Sequence, residues 1–143
     1  MTQQQDITIK ICAGLGGVMT GSNKVIAAFN HVLEEKRVNV QVTPKLHKVG
    51  CLGLCARDVL VDVFINGAKF TYQHVTPEMV KEIVDKHLVG GQPVEKWLVD
   101  EEYQNYHRNQ KKLLLKNCGR INPESIDAYM DVGGYAAAQK VMN

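Results

Sequence analysis

Three cysteines have the residue type and the spacing that metal chemistry needs. Cys51 and Cys55 form a C-x3-C pair within the stretch VGCLGLCARD, which ends where a strand-like apolar run begins. Two thiols at this spacing on a tight loop can point at one metal centre, and a glycine between them lets backbone N–H groups approach the sulfurs. Cys12 has a similar place, at the end of the alternating run ITIKI and before a glycine-rich segment. These cysteines are the candidate metal-binding and cofactor-binding residues.

Other roles for these side chains remain open at this point. The three candidates could be small buried residues of the core, as unligated cysteines usually are. His47 precedes Cys51 by four residues, so it could join the three cysteines in a Cys3His zinc site or bring a nitrogen to iron. A solvated loop histidine is the commoner situation. Cys118 lies far from the others in the sequence, and we assign it a structural role.

Length and composition predict one domain with a tail. A chain of 143 residues with 45% hydrophobic content can bury one ordinary core. The formal charge of +2 and the absence of a basic stripe in the sequence disfavour nucleic-acid binding. The sequence has no apolar run that could cross a bilayer, and its polar start is unlike a secretory signal. We therefore expect a cytoplasmic protein without membrane insertion, whose cysteines are thiols or metal ligands rather than disulfides.

Hydrophobic periodicity and turn signals predict an α/β fold. The predicted elements are a strand at 7–11, a helix capped by Ser22 and running to 36, strands at 38–42 and 59–65, a return strand at 68–75 after the Asn66-Gly67 turn, and a helix from Thr76 to Gly90. A glycine-rich loop is expected after Cys12, and residues 45–50 are expected to lead into the C-x3-C loop. The order β-α-β-β-β-α is that of a thioredoxin-like sandwich, with both cysteine loops at strand ends.

The chain continues past this compact unit. We divide it into a domain at 1–91, an extended linker or docking arm at 92–110, and a further segment at 111–143. In that segment, 111–119 is strand-like, a helix begins near Asn122-Pro123, and a last helical piece covers 135–142. This extended and helical tail is too short to bury a core of its own.

The two parts of the chain resemble consecutive parts of one protein family. Residues 7–99 resemble the thioredoxin-like [2Fe-2S] ferredoxin domain at the N-terminus of the NADH-binding flavoprotein subunit of NADH-linked oxidoreductases. That group includes bifurcating hydrogenases, NAD-dependent formate dehydrogenases and flavoprotein subunits like that of respiratory complex I. Residues 111–142, with LKNCG and NPESIDAYMDVGGY, are similar to the opening of the FMN- and NADH-binding core. We expect the sequence to end before the FMN and NADH motifs, so that these cofactors belong to a larger parent protein or a partner.

The resemblance also implies a ligand set for a [2Fe-2S] cluster. In the family, a C-x4-C pair after the first strand and a C-x3-C pair after the second hold the cluster. Cys12 matches the first ligand, and Cys51 and Cys55 match the third and fourth. Gly17 stands where the second cysteine is expected. A [2Fe-2S] cluster takes two protein ligands on each iron, so this change leaves one ligand position to water, hydroxide or another side chain.

Three functions follow as hypotheses. The first is an electron-transfer module with a [2Fe-2S] cluster, working with other subunits of an NADH-linked redox complex: a flavoprotein core and ferredoxin-like, hydrogenase or dehydrogenase subunits. The second is a degenerate domain without a cluster, because Gly17 replaces a ligand, that serves as a structural or docking element. The third is a zinc-stabilised or thiol redox module, which the absence of a C-x-x-C spacing disfavours. Catalytic residues are not expected in this chain under the first hypothesis.

Overall fold

A four-stranded mixed sheet forms the centre of the fold. The computed structural model describes residues 6–37 and 45–142. The strand order is β2-β1-β3-β4, with β1 at Ile7–Cys12, β2 at Lys45–Val49, β3 at Val61–Ile65 and β4 at Ala68–Tyr72. β1 runs parallel to β2 and antiparallel to β3, and β3 runs antiparallel to β4. Parallel neighbours require a crossover, and the helices between β1 and β2 supply it.

Helices that pack against each other cover the main hydrophobic core. The helices α1 (Leu15–Thr20) and α2 (Ser22–Arg37) precede β2, and α3 (Pro77–Ile83) follows β4 and continues into a π-helical stretch at Val84–Val89. One side of α2, which includes Val25 and Phe29, packs on β1, β3 and α3. The fully buried members of this core include Ile9, Ile11, Phe29, Val63, Val80 and Ile83.

Local signals in the sequence placed several of these elements correctly. Asn66 and Gly67 both have positive φ, at 50° and 86°, as the hairpin turn between β3 and β4 requires. Thr76 is the N-cap residue of α3, and Pro77 is its first helical residue. The β-α-β-β-β-α order is therefore the observed order, with one additional short helix before α2.

The structure corrects the prediction around the first crossover. The glycine-rich segment after Cys12 is not a loop throughout, because α1 forms there. Ser22 does not cap α2 from outside; it is the first helical residue, and its buried hydroxyl has no hydrogen-bond partner among the described residues. The predicted strand at 38–42 lies outside the described residues. The described second strand, β2, covers residues that were expected to be a lead-in to the cysteine loop.

The segment 92–110 is not an extended arm. It contains a 3-10 turn at Glu95–Trp97 and the helix α4 at Glu101–Arg108. Its side chains Val94, Val99 and Tyr103 are buried against this same domain, and Leu98 pairs with the last residue of β4. The segment therefore extends the folded unit instead of leaving it.

The last part of the chain has little buried surface. Residues 111–119, predicted as strand-like, form turns, because no strand lies beside them in the described sheet. The helices α5 (Ile126–Asp131) and α6 (Ala136–Met142) agree with the predicted helical tail. No helix in the described ranges combines the length and apolar character that a bilayer crossing requires.

Candidate metal centre

Cys12 is held at the end of β1 by backbone hydrogen bonds on both sides. Its own N–H donates to the carbonyl of Leu60 at 3.0 Å, and the next N–H donates to the carbonyl of Val49 at 2.8 Å. The side chain is buried. Burial raises the pKa of the Cys12 thiol to about 11, the backbone N–H groups of Leu52 and Gly14 oppose this, and the Asp58 carboxyl raises it further. The thiol is thus fixed beside the loop that carries the other two cysteines.

Cys51 and Cys55 form a close pair on the loop between β2 and β3. Their Sγ atoms lie 3.5 Å apart, which is near the separation of about 3.8 Å expected for two thiolates on one tetrahedral metal. The N–H of Gly53 donates to the Sγ of Cys51 at 3.3 Å, and the positive φ of Gly53, 104°, favours glycine at that position. The neighbouring Cys51 thiol raises the pKa of Cys55, which is exposed. The pair has the geometry of a bidentate metal ligand.

The glycines after Cys12 lie directly against all three cysteines. A Cβ on Gly14 would lie 2.9 Å from the Cβ of Cys51, and a Cβ on Gly16 would lie 3.2 Å from the Sγ of Cys55. A Cβ on Gly17 would lie 3.5 Å from the Sγ of Cys12. Gly14, Gly16 and Gly17 therefore contact the three cysteines with backbone atoms, and a side chain at any of these positions would crowd them. The structure pairs Cys51 with Cys55 and places Cys12 across the same short glycine segment, whereas His47 is exposed on β2.

Asp58 belongs to the same site, although sequence reasoning did not select it. This carboxyl is buried and faces Cys12, and a Cβ on Gly16 would lie 2.9 Å from its Oδ2. Apart from the Cys12 thiol that it faces, neither of its oxygens has a hydrogen-bond partner within residues 6–37 and 45–142. An aspartate shortly after a cysteine loop is ordinary in sequence, so only its burial distinguishes it.

The zinc alternative has no assembled site in the described ranges. No three His, Cys, Asp or Glu side chains there come close enough together to hold one metal ion. His47 is exposed and stands opposite Lys10 in the sheet register. A binuclear cluster needs two ligands on each of two irons, so it does not require three ligands around a single ion.

The C-terminal segment contacts the cysteine loop. The Nζ of Lys112 donates to the carbonyl of Leu52 at 3.3 Å, and the N–H of Gly50 donates to the carbonyl of Ile121 at 3.3 Å. Gly119 packs directly on the side chain of Leu52. Cys118 is not one of the three candidate ligand cysteines, but it lines a cavity that Leu52 also lines.

The mixed sheet and the thiols grouped at its strand ends define an α/β protein of thioredoxin-like fold. Its structure aligns with the 1.5 Å crystal structure of the wild-type thioredoxin-like [2Fe-2S] ferredoxin from Aquifex aeolicus, with a TM-score of 0.56 and 27% identity, over 67% of this chain and 98% of that one. The sequence profile of the thioredoxin-like [2Fe-2S] ferredoxins matches residues 1–88. The chain belongs to this family.

Two individual ferredoxins illustrate the relationship. A 2Fe-2S ferredoxin from Aquifex aeolicus (strain VF5) is 36% identical over 83 residues, which are 57% of this chain and 70% of the relative. A 2Fe-2S ferredoxin from Clostridium pasteurianum is 28% identical over 75 residues, which are 52% of this chain and 70% of the relative. Cys12, Cys51 and Cys55 could hold a [2Fe-2S] cluster at three ligand positions, and Gly17 stands where the resemblance implies the remaining cysteine.

Proposed function

We propose that this chain is an electron-transfer module that holds a [2Fe-2S] cluster with Cys12, Cys51 and Cys55. The observation that carries this proposal is the close Cys51–Cys55 pair, together with the packing of Gly14, Gly16 and Gly17 against Cys51, Cys55 and Cys12 in turn. When bound, such a cluster accepts and returns one electron. Membership in the thioredoxin-like [2Fe-2S] ferredoxin family supports the same role.

The protein's part in this function is to hold, shield and tune the sulfurs. The N–H of Gly53 donates to Cys51, and backbone N–H groups of Leu52 and Gly14 point at Cys12. Hydrogen bonds to ligand sulfurs favour the thiolate form and tune a cluster's reduction potential. Burial of Cys12 and exposure of Cys55 give the site one protected side and one side near the surface, from which an electron can leave.

The test is anaerobic reconstitution of the full chain with iron and sulfide. We expect about two irons and two sulfides per chain, visible absorption, and an EPR signal after reduction with dithionite. Cys55→Ser should lose most of the bound iron, whereas Cys118→Ser, the matched control, should load like the unmodified chain. A chain that stays colourless and free of iron would contradict the proposal.

We further propose that the module works within an NADH-linked redox complex in the cytoplasm. The resemblance of residues 111–142 to the opening of an FMN- and NADH-binding core supports this. The exposed leucines Leu113, Leu114 and Leu115 also suit a surface that a further protein covers. Anaerobic purification of the tagged chain from its native cells should bring down a flavin-containing partner, and recovery of the chain alone would argue against the complex.

Gly17 supports a second candidate, a domain that has lost its cluster and serves as a docking element. Under this hypothesis the unmodified chain folds and binds its partner without iron. The reconstitution experiment separates the two, because only the electron-transfer module takes up iron and sulfide.

A further inference from the structure

The fourth ligand of the cluster is the part of the site that the cysteines leave unassigned. Gly17 is buried in α1, and a Cβ there would lie 3.5 Å from the Sγ of Cys12 but only 2.5 Å from the Cys12 carbonyl oxygen. A side chain from another element must therefore supply the remaining ligand if each iron is to have two protein ligands.

Asp58 is such a side chain. Only 8% of its surface is exposed, and apart from the Cys12 thiol that it faces, neither oxygen has a partner within the described ranges of the chain. Buried carboxylates are normally paired with a cation, fully hydrogen-bonded or bound to a metal, because an isolated buried charge is very unfavourable. Within the described residues, Asp58 has no paired cation and is not fully hydrogen-bonded.

A second buried aspartate shows how this chain satisfies a carboxylate that is purely structural. Asp62 is 2% exposed. Its Oδ1 accepts a hydrogen bond from the Thr71 hydroxyl at 2.6 Å, and its Oδ2 lies 2.9 Å from the Nζ of Lys69. The contrast indicates that the unpartnered state of Asp58 is specific to its location and is not a general feature of buried acids here.

The location of Asp58 is the thiol site itself. Its Oδ2 and the Sγ of Cys55 lie 2.9 Å and 3.2 Å from the same point, the place where a Cβ on Gly16 would stand. The carboxyl also faces the Cys12 thiol. The Asp58 carboxylate therefore lies against Gly16 together with the Cys55 thiol, and it faces the Cys12 thiol as well.

We propose that Asp58 supplies the fourth ligand of the cluster, through a carboxylate oxygen, in place of the cysteine that Gly17 replaces. This inference rests on the proposed function, since it requires that a cluster is bound. A carboxylate carries the same charge as a thiolate, so the ligand set keeps four anionic donors. Oxygen is a harder donor than sulfur, and the iron that it binds becomes distinguishable from an iron with two thiolates.

The test uses the full chain labelled with 13C at the aspartate carboxylate carbon. After reconstitution and reduction, ENDOR spectroscopy of the unmodified chain should show a 13C coupling to the cluster. Asp58→Cys should load with iron and lose this coupling, and its EPR g values should shift. Asp58→Asn should release iron to a chelator about 10-fold faster or more. Asp62→Asn, the matched control, should keep both the coupling and the release rate.

The outcomes separate this inference from the proposed function. If the unmodified chain loads but shows no 13C coupling, and Asp58→Asn holds iron equally well, Asp58 is not a ligand while the cluster proposal stands. If the unmodified chain takes up no cluster, both proposals fail. Circular dichroism of the iron-free variants checks that each one folds, and Asp58→Cys gives a second reading should Asp58→Asn prove unstable.

Discussion

The Nη1 of Arg57 lies 2.8 Å from the Oδ2 of Asp100, and this ion pair joins the turn that carries Cys55 to the start of α4. The other carboxylate oxygen of Asp100 accepts the N–H of Tyr103 at 2.9 Å and so caps the helix. That hydrogen bond, together with the Arg57 guanidinium, lowers the pKa of Asp100. One carboxylate therefore fixes both the helix and the cysteine turn.

Replacement of Asp100 by alanine should loosen α4 and the turn together. We expect amide hydrogen exchange in both to become about 5-fold faster, because the cap and the ion pair are lost at once. Asp100→Asn keeps an oxygen acceptor for the cap, so it should affect the turn more than the helix. Equal amide protection in the parent, Asp100→Ala and Asp100→Asn proteins would show that Asp100 stabilises neither α4 nor the turn.

Gly17→Ala should destabilise the iron-free protein. Alanine normally stabilises a helix interior by about 1 kcal/mol relative to glycine. Here the new Cβ would lie 2.5 Å from the carbonyl oxygen of Cys12, and such overpacking costs about 1–3 kcal/mol. Gly17→Cys should show the same loss before any metal is added.

The control for these changes is Gly50→Ala, whose Cβ would meet only the ring of Pro123 at 3.9 Å. Urea unfolding of the iron-free chains measures the difference. A Gly17→Ala protein as stable as the Gly50→Ala protein would show that α1 can move away from Cys12 at little cost.

Tyr72→Phe should lower the free energy of unfolding by about 1–3 kcal/mol, because it leaves buried polar groups without partners. The Tyr72 hydroxyl accepts the N–H of Val94 at 3.1 Å and lies 2.8 Å from the Nδ1 of His87. Tyr106→Phe changes an exposed tyrosine and should be neutral. If both variants unfold at the same urea concentration as the parent, the buried hydrogen bonds contribute nothing measurable.

Stability should decrease as the pH falls below about 6.5, the ordinary pKa of histidine. Burial lowers the pKa of His87, so the unfolded chain binds a proton more readily than the folded chain. The stabilising contribution is therefore complete above that pH and is lost below it. Burial also lowers the pKa of His107, which acts in the same direction.

Urea unfolding between pH 8 and pH 5 checks this prediction. His87→Gln should weaken the pH dependence of the free energy of unfolding, and the double variant with His107→Gln should weaken it further. His31→Gln changes an exposed side chain and serves as the control. A pH profile that neither the His87 nor the His107 substitution alters would exclude these histidines as its source.

Elements with a strong local cause were predictable from the sequence. The alternation before Cys12 predicted β1, the Asn66-Gly67 pair predicted the hairpin, and Thr76 followed by Pro77 predicted the start of α3. Each signal acts within a few residues, through side-chain alternation, positive φ or a free helix N-terminus. Cys12, Cys51 and Cys55 were selected for a similar reason, since cysteine spacing beside glycine is itself a local pattern.

Elements that depend on distant neighbours were predicted poorly. β2 has mostly polar, partly exposed residues, so its pairing with β1 and not its composition makes it a strand. The leucine run at 113–115 has strand-like composition but no neighbouring strand in the described sheet, and it forms turns. Glycine disfavours helix, yet α1 contains Gly16 and Gly17 because backbone alone fits against the thiols.

The sequence by itself determined the fold class and the three thiols, because periodicity and residue type act locally. Only the tertiary structure singled out Asp58, because its burial, its lack of a partner and its approach to Gly16 depend on segments far apart in the chain. The tertiary structure also decided that 92–110 belongs to the folded unit, since Val99 and Tyr103 are buried in a cluster with Cys12, Leu52 and Leu60. Burial is a property of the packed molecule, and no spacing along the chain specifies it.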